Sequence, residues 1–525
     1  NTPTSFFKQS ISFCLLFTIS LSKYILFFSS HSLDKVYSSS ISSSWRAVII
    51  IIFVSIIIGI IVAVSSNNNN QNKILQNFVQ NEMVQEEEEN TVLDEENITI
   101  IDDDTAEFSR RYGRIEVIWI DENNNEINEP LMPNLNGLIP VKFDSTAVRF
   151  VQTTEQDTDW YNYDMGLWAN DINQDGSYFV WIPRFAYRIT YYSNSQYSNV
   201  VGYCDGRGIM KLNDDGTLTR ISRNNTGIRE TNNHYIVAPA FSKDTASGYR
   251  NGGWDTDLSW FWVAKYEMSM ETNDIHTETI NSSIGNVQIS DSVKAVSKPC
   301  VSSWRNINIR NCYLNGYNYD RNRDSHLMKN SEWGAVAYLS YSKFGRNGRP
   351  VTTNADSNFI TGGTTSEESI YISNGNQSTT GNATGIYDLA GGAWEYVSSY
   401  IDNGYYGLAD NGGNTLDDIY GSRNSKYKCV YPHEQNDDGD DYEQEYAINN
   451  FALINRYRGD ALFETSDSGF GNDSFDNNTA YFIQSDIPYL IRGGDYNSGS
   501  GAGIFSYNGY SGASNSTESF RVVFI

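Results

Sequence analysis

Cysteine, histidine and basic side chains are all scarce in this chain of 525 residues. Its five cysteines, Cys14, Cys204, Cys300, Cys312 and Cys429, show no CxxC spacing, which removes zinc ribbons and thioredoxin-type redox sites from consideration. Cys300 and Cys312 lie close enough in sequence to form a disulfide; free buried thiols are the alternative. The five histidines, His31, His234, His276, His326 and His433, form neither an HxxxH nor an HExxH pattern, so a zincin-type site is excluded as well. Walker and Rossmann glycine patterns are missing, and no repeat of fixed period is visible. Lys and Arg number 37 against 64 Asp and Glu, a formal charge of -27. A chain so short of cations does not neutralise phosphates, so no nucleic-acid partner is expected.

Aromatic residues are abundant: 14% of the chain, with 36 Tyr and 11 Trp. They supply a core, and Tyr also suits contact surfaces where one end is apolar and the other wet.

The chain divides by composition. Residues 1–46 are Ser-rich with no methionine before Met83, and read as an N-terminal cytoplasmic segment or a spurious leader. Residues 47–64 (AVIIIIFVSIIIGIIVAV) are uncharged and long enough for a single transmembrane helix, which needs roughly 17–25 apolar residues. Lys8, Lys23, Lys35 and Arg46 precede this run and an acidic tract follows it. The positive-inside rule therefore expects a single-pass cell-membrane protein with its C-terminal domain extracellular. Residues 65–110 read as an acidic stalk, in which Leu75, Phe78, Val79 and Met83 mark a short amphipathic helix.

Residues 111–525 read as the ectodomain. Residues 114–120 (RIEVIWI) and 141–143 are strands flanking a polar, proline-bearing turn. Residues 178–190 form one long strand, with a bend or edge at Pro183. In residues 260–269, Trp260, Trp262, Ala264, Tyr266 and Met268 share one face, with Lys265 and Glu267 opposite, the pattern of a half-buried strand. An Asn/Gly-rich stretch, about 192–235, reads as an insertion. Helices are expected from Ser303-Trp304-Arg305-Asn306 and from Asn330, a natural N-cap. After Asn330, a stripe of Trp333, Val336, Ala337, Ser340 and Tyr341 runs on to Gly345.

Three segments stand out: Gly385-Ile386-Tyr387-Asp388-Leu389-Ala390-Gly391-Gly392-Ala393-Trp394-Glu395-Tyr396, Ile491-Arg492-Gly493-Gly494-Asp495-Tyr496, and Ser519-Phe520-Arg521. With the 260–269 strand and the two helix starts before them, they resemble the formylglycine-generating-enzyme (sulfatase-modifying factor) family. That family reads G-L-Y-D-M-x-G-N-V-W-E-W, then R-G-G-S-W, then G-F-R. The resemblance implies an α+β, C-type-lectin-like fold of the formylglycine-generating-enzyme type. The family's enzymes oxidise a substrate cysteine with a copper-holding cysteine pair located between the last two segments. Here the stretch from Gly494 to Phe520 contains no Cys, His or Met, so the resemblance implies a scaffold without that catalysis. It also implies a structural calcium near Glu395, although Gly392 stands where the family has Asn. Two further acidic stretches bear on calcium. Asp171-x-Asn173-x-Asp175-Gly176 copies half an EF-hand loop, but Ile182 holds the twelfth position, and a turn is the better reading. Asp437-Asp438-Gly439-Asp440-Asp441 reads as a solvated loop.

Residues 495–519 (DYNSGSGAGIFSYNGYSGASNSTES) are almost all Tyr, Asn, Ser and Gly, the composition of antibody-like contact loops. They also look like the variable proteins of diversity-generating retroelements. Tyr496, Asn497, Tyr507, Asn508, Tyr510 and Asn515 are the expected contact residues for an extracellular glycan or protein ligand. The competing reading makes Ile504-Phe505-Ser506-Tyr507 a buried strand. The expected function is membrane-anchored extracellular recognition or adhesion. The alternatives are a divergent sulfatase-modifying-factor-type oxidase using Cys300, Cys312 or Cys429, and a structural surface protein.

Overall fold

The uninterrupted apolar run Trp260–Ala264 pairs on one side with Tyr178–Pro183 and on the other with Val522–Phe524, which places Trp262 beside both Trp181 and Phe524. This is the middle of the domain. The computed structural model describes residues 114–192, 201–213, 217–224, 228–243, 253–272, 285–402, 408, 411, 426–434, 451–484 and 486–525, all within one unit, Thr99–Ile525. The expected transmembrane run 47–64, the stalk and the 437–441 acidic run lie outside the described residues. Among the described residues, no helix is long and apolar enough to cross a membrane.

The domain is mixed α+β, mostly sheet with few helices. One sheet runs Leu218–Ser222, Gly208–Leu212, Val201–Asp205, Phe185–Tyr192, Arg114–Ile120, Glu126–Ile127, with Ile236–Val237 also pairing on Phe185–Tyr192. A second runs His326–Leu327, Val522–Phe524, Trp260–Ala264, Tyr178–Pro183, Asn170–Ile172, Ile139–Asp144, Arg149–Gln152. A third runs Cys429–Tyr431, Trp394–Ile401, Tyr489–Gly493, Gly503–Tyr510, Ala480–Tyr481, Phe470–Gly471, with Glu518–Phe520 beside Trp394–Ile401.

Several expectations change. The 178–190 strand breaks after Pro183 and its halves join different sheets, because the Arg184 guanidinium turns inward onto the carbonyls of Phe241 and Leu258. The expected leading β-element is likewise divided, with Arg114–Ile120 in the first sheet and Ile139–Asp144 in the second. The Asn/Gly-rich insertion contains three ordered strands, Val201–Asp205, Gly208–Leu212 and Leu218–Ser222, which extend the first sheet as an antiparallel meander. The motif at Asp171 is a turn, as expected: a hairpin closed by Asn173 N to Ser177 O at 2.9 Å. Asp171 itself is fully buried with neither carboxylate oxygen hydrogen-bonded, and burial pushes its pKa up to about 8.

The first helix, α1 (Ile309–Tyr319), starts later than Ser303 because the Asn308 side chain caps it through Asn311 N. The second, α2 (Asn330–Tyr341), has Asn330 inside its first turn. Glu332 reaches back to Lys329 N at 2.9 Å, and Asn330 Nδ2 bonds Tyr431 and the Asp460 carbonyl. Every residue of α2 is buried, so its expected apolar stripe is only part of a helix enclosed on all sides. At Gly334 a Cβ would come within 2.3 Å of the Gly459 carbonyl, so glycine is needed for that close approach.

Candidate ligand-binding face

The segment 385–396 folds around buried charge. Arg521 is the single residue between Glu518–Phe520 of the third sheet and Val522–Phe524 of the second. Its guanidinium holds Glu395 of the third sheet and donates to the carbonyls of Ala264 and Tyr387 at 2.7 and 2.9 Å. Glu267 and Asp388 lie in the same interior, and burial together with their mutual repulsion pushes the Glu267 carboxyl well above the usual range. Glu267 accepts Ala393 N at 2.8 Å, and Asp388 accepts Asn354 Nδ2 at 2.8 Å and Gly362 N at 2.9 Å.

Lys265 and Glu267 therefore do not lie on a solvent face, as the alternation of that strand predicts. Both are buried, because chain from beyond the sheet covers them. Lys265 Nζ donates to Asn170 Oδ1 and to the carbonyls of Ala383 and Gly385, each at 2.7 Å. Burial draws the Lys265 ammonium well below its usual pKa.

The Gly391-Gly392 turn links this interior to the surface. Both glycines have positive φ, 77° and 72°, and a Cβ on Gly392 would lie 2.7 Å from Glu267 Oε1. Gly392 O accepts Tyr496 N at 2.9 Å. The Tyr496 ring meets Phe359 edge-on at 5.0 Å, and Arg305 lies 3.9 Å above Phe359 while its Nη1 donates to Ser516 O at 2.6 Å. Residues 496 and 516 are thus tied to a common support. Asn306 N fixes Asn515 O at 2.7 Å, and Asn515 Nδ2 bonds Tyr510 Oη at 2.8 Å and Glu518 Oε1 at 3.2 Å. Glu518 is 2% exposed, its Oε2 has no partner, and burial with nearby Asp495 pushes its pKa up to about 7.

Asn497 is exposed, and Tyr496, Asn508, Tyr510 and Asn515 are half-buried, all on this C-terminal segment. Tyr507 is different: it is fully buried and donates to Ser466 Oγ at 2.9 Å, because Gly503–Tyr510 runs inside the third sheet between Tyr489–Gly493 and Ala480–Tyr481. That part of the stretch is a buried strand and contributes no surface. The sequence reading missed Arg305, Phe359 and Glu518 as supports of the face. Arg305 was visible only as part of a helix start, and no spacing links it to Phe359.

Glu395 does not fit a calcium site. Both of its oxygens face one guanidinium, whose positive charge opposes a cation there. Among the described residues, no group of three or more His, Cys, Asp or Glu is arranged to hold a metal ion. Cys204, Cys300, Cys312 and Cys429 are free thiols, so Cys300 and Cys312 are not joined. Burial pushes the Cys300 thiol up to about 12 and those of Cys204 and Cys312 well above the usual range. No known protein-family profile matches the chain, and no curated protein matches it.

Proposed function

We propose that the chain is a membrane-anchored extracellular recognition protein. In this reading a single-pass anchor at residues 47–64 holds outside the cell a non-catalytic, C-type-lectin-like domain of the formylglycine-generating-enzyme type, which offers Tyr496, Asn497, Asn508, Tyr510 and Asn515 to a glycan or protein ligand. The observation that carries it is the way the 495–519 segment is held. Tyr496, Phe359, Arg305 and Ser516 form one continuous tie, and Asn515 braces Tyr510. Tyr and Asn side chains are thus presented at the surface already ordered, and a pre-ordered contact face loses less entropy on binding. The oxidase reading needs thiolates, whereas burial favours the protonated thiol at the cysteines described here.

The test is a screen of the full-length chain against arrayed glycans and displayed extracellular proteins, beside a Tyr496→Ala/Asn497→Ala variant. Saturable binding that the double variant reduces at least tenfold, with unchanged thermal stability, is expected. Binding that is indifferent to the double variant, or none to any ligand, rejects the face and favours a structural surface protein.

A further inference from the structure

An open cleft of about 610 Å³ lies elsewhere in the domain, and its lining includes no residue of the 495–519 segment. That volume falls within the roughly 300–1,000 Å³ of small-molecule sites. The lining contains no apolar side chain: four amides, two carboxylates, two cations and one glycine. An apolar ligand gains nothing there, whereas one rich in hydroxyls finds both donors and acceptors.

Arg323 is the fixed point. Its side chain is nine-tenths buried. Nε donates to Asp320 Oδ2 at 2.7 Å, Nη2 donates to Asn173 Oδ1 at 3.0 Å, and the guanidinium lies 4.7 Å from the centre of the Phe524 ring. Ile525 N also donates to Arg323 O at 2.9 Å, which fixes the backbone. Three constraints hold the fork, and its remaining nitrogen, Nη1, is buried with no hydrogen-bond partner. A buried guanidinium N–H without an acceptor is costly, and an anionic oxygen is the partner that suits it best. Lys294, exposed on the same cleft and paired with no carboxylate among the described residues, adds a second positive charge.

The number of charges limits the ligand. Asp175 and Asp320 share the cleft with the two cations, so the lining has no excess positive charge to compensate a doubly charged phosphate, and a ligand with one negative charge and neutral hydroxyls is better accommodated. A single carboxylate placed between Arg323 Nη1 and Lys294 meets both cations while adding only one negative charge. Exposed Asn322 and half-buried Asn173 then face the rest of the ligand. We infer that this cleft binds a carboxylated sugar, with the carboxylate on Arg323 and the hydroxyls on the amides and Asp175.

The test is calorimetric titration of the full-length chain with a uronic-acid disaccharide, the matching neutral disaccharide and inorganic phosphate. The uronic acid is expected to bind saturably and about tenfold or more tighter than either other probe, the scale of one charge-assisted hydrogen bond. Lys294→Glu and Asn322→Asp change exposed side chains and leave the fold intact; each is expected to weaken binding several-fold while thermal stability stays constant. Arg323→Lys keeps the charge but loses the fork, and is expected to abolish binding. No saturable binding of the uronic acid, equal binding of the neutral sugar or of phosphate, or indifference to Lys294→Glu and Asn322→Asp overturns the assignment. Because the 495–519 residues take no part, the Tyr496→Ala/Asn497→Ala variant is expected to bind the uronic acid normally, so this site and the C-terminal face fail or stand separately.

Discussion

Arg521 grips Glu395 with both arms of its fork: Nη2 lies 2.6 Å from Oε1 and Nε 3.0 Å from Oε2, and both side chains are buried. One ion pair therefore joins the second and third sheets. Removing one partner of a buried pair costs about 3–5 kcal/mol, because the other charge is left uncompensated. Glu395→Ala is expected to lower the unfolding free energy in urea by that amount, and Glu395→Gln/Arg521→Met to recover part of it. If Glu395→Ala matches the parent, the pair is not a structural tie.

The same geometry predicts the response to calcium. Chelation with EDTA followed by addition of calcium is expected to leave the thermal midpoint unchanged. A rise of several degrees with calcium that Glu395→Gln removes would show that the cation displaces Arg521.

Asp171 makes stability depend on pH. Its carboxyl titrates near 3.8 when unfolded and is pushed up to about 8 by burial in the fold. Between those values the folded state holds a proton that the unfolded state has lost, so stability falls as pH rises through the window. Asp171→Asn carries no ionisable group. It is expected to be more stable than the parent at pH 8 by an amount on the order of a few kcal/mol, with the advantage gone below pH 4. Urea titrations at pH 4, 6 and 8 measure this, and an unchanged pH slope in the variant refutes it.

Thiol chemistry separates the recognition and oxidase readings. Cys300 is half-buried and burial pushes it up to about 12, while Cys204, Cys312 and Cys429 are fully buried. Maleimide at pH 7 is expected to label Cys300 slowly and these other three only after denaturation. Rapid labelling of any of the four in the folded protein would reopen the oxidase reading.

The legible parts of the sequence were those where local pattern and burial agree. In Arg114–Ile120, buried Ile115, Val117 and Trp119 alternate with the more exposed Arg114, Glu116 and Ile118, and only Ile120, also buried, departs from period 2. The start of α2 was nearly as clear: the helix begins at Asn330, one residue after its N-cap Lys329, so the expected cap at Asn330 is off by one position and Glu332 closes the first turn instead. Lys265 and Glu267 were misread because charge on alternate positions signals solvent, yet their partners arrive from 118, 120 and 126 residues away at Ala383, Gly385 and Ala393. The Val201–Ser222 meander was hidden for a different reason. Its strands add to the first sheet by backbone pairing, which asks little of side-chain pattern. The cleft at Arg323 draws its walls from four separated segments, and no spacing within any one of them announces it.

Arg521 Nη1 reaches the Ala264 carbonyl across 257 residues, beside the pairing of Trp262 with Phe524. That seam makes the chain between its two sides one very long closed loop. Closure entropy grows only logarithmically, so even doubling such a loop costs only about 0.6 kcal/mol. Surface segments between the two sides can lengthen or shorten at little thermodynamic expense, provided the seam is kept. The cost falls on kinetics instead: contacts this distant in sequence form late and slowly. The architecture thus favours variation of its outer segments, at the expense of folding speed.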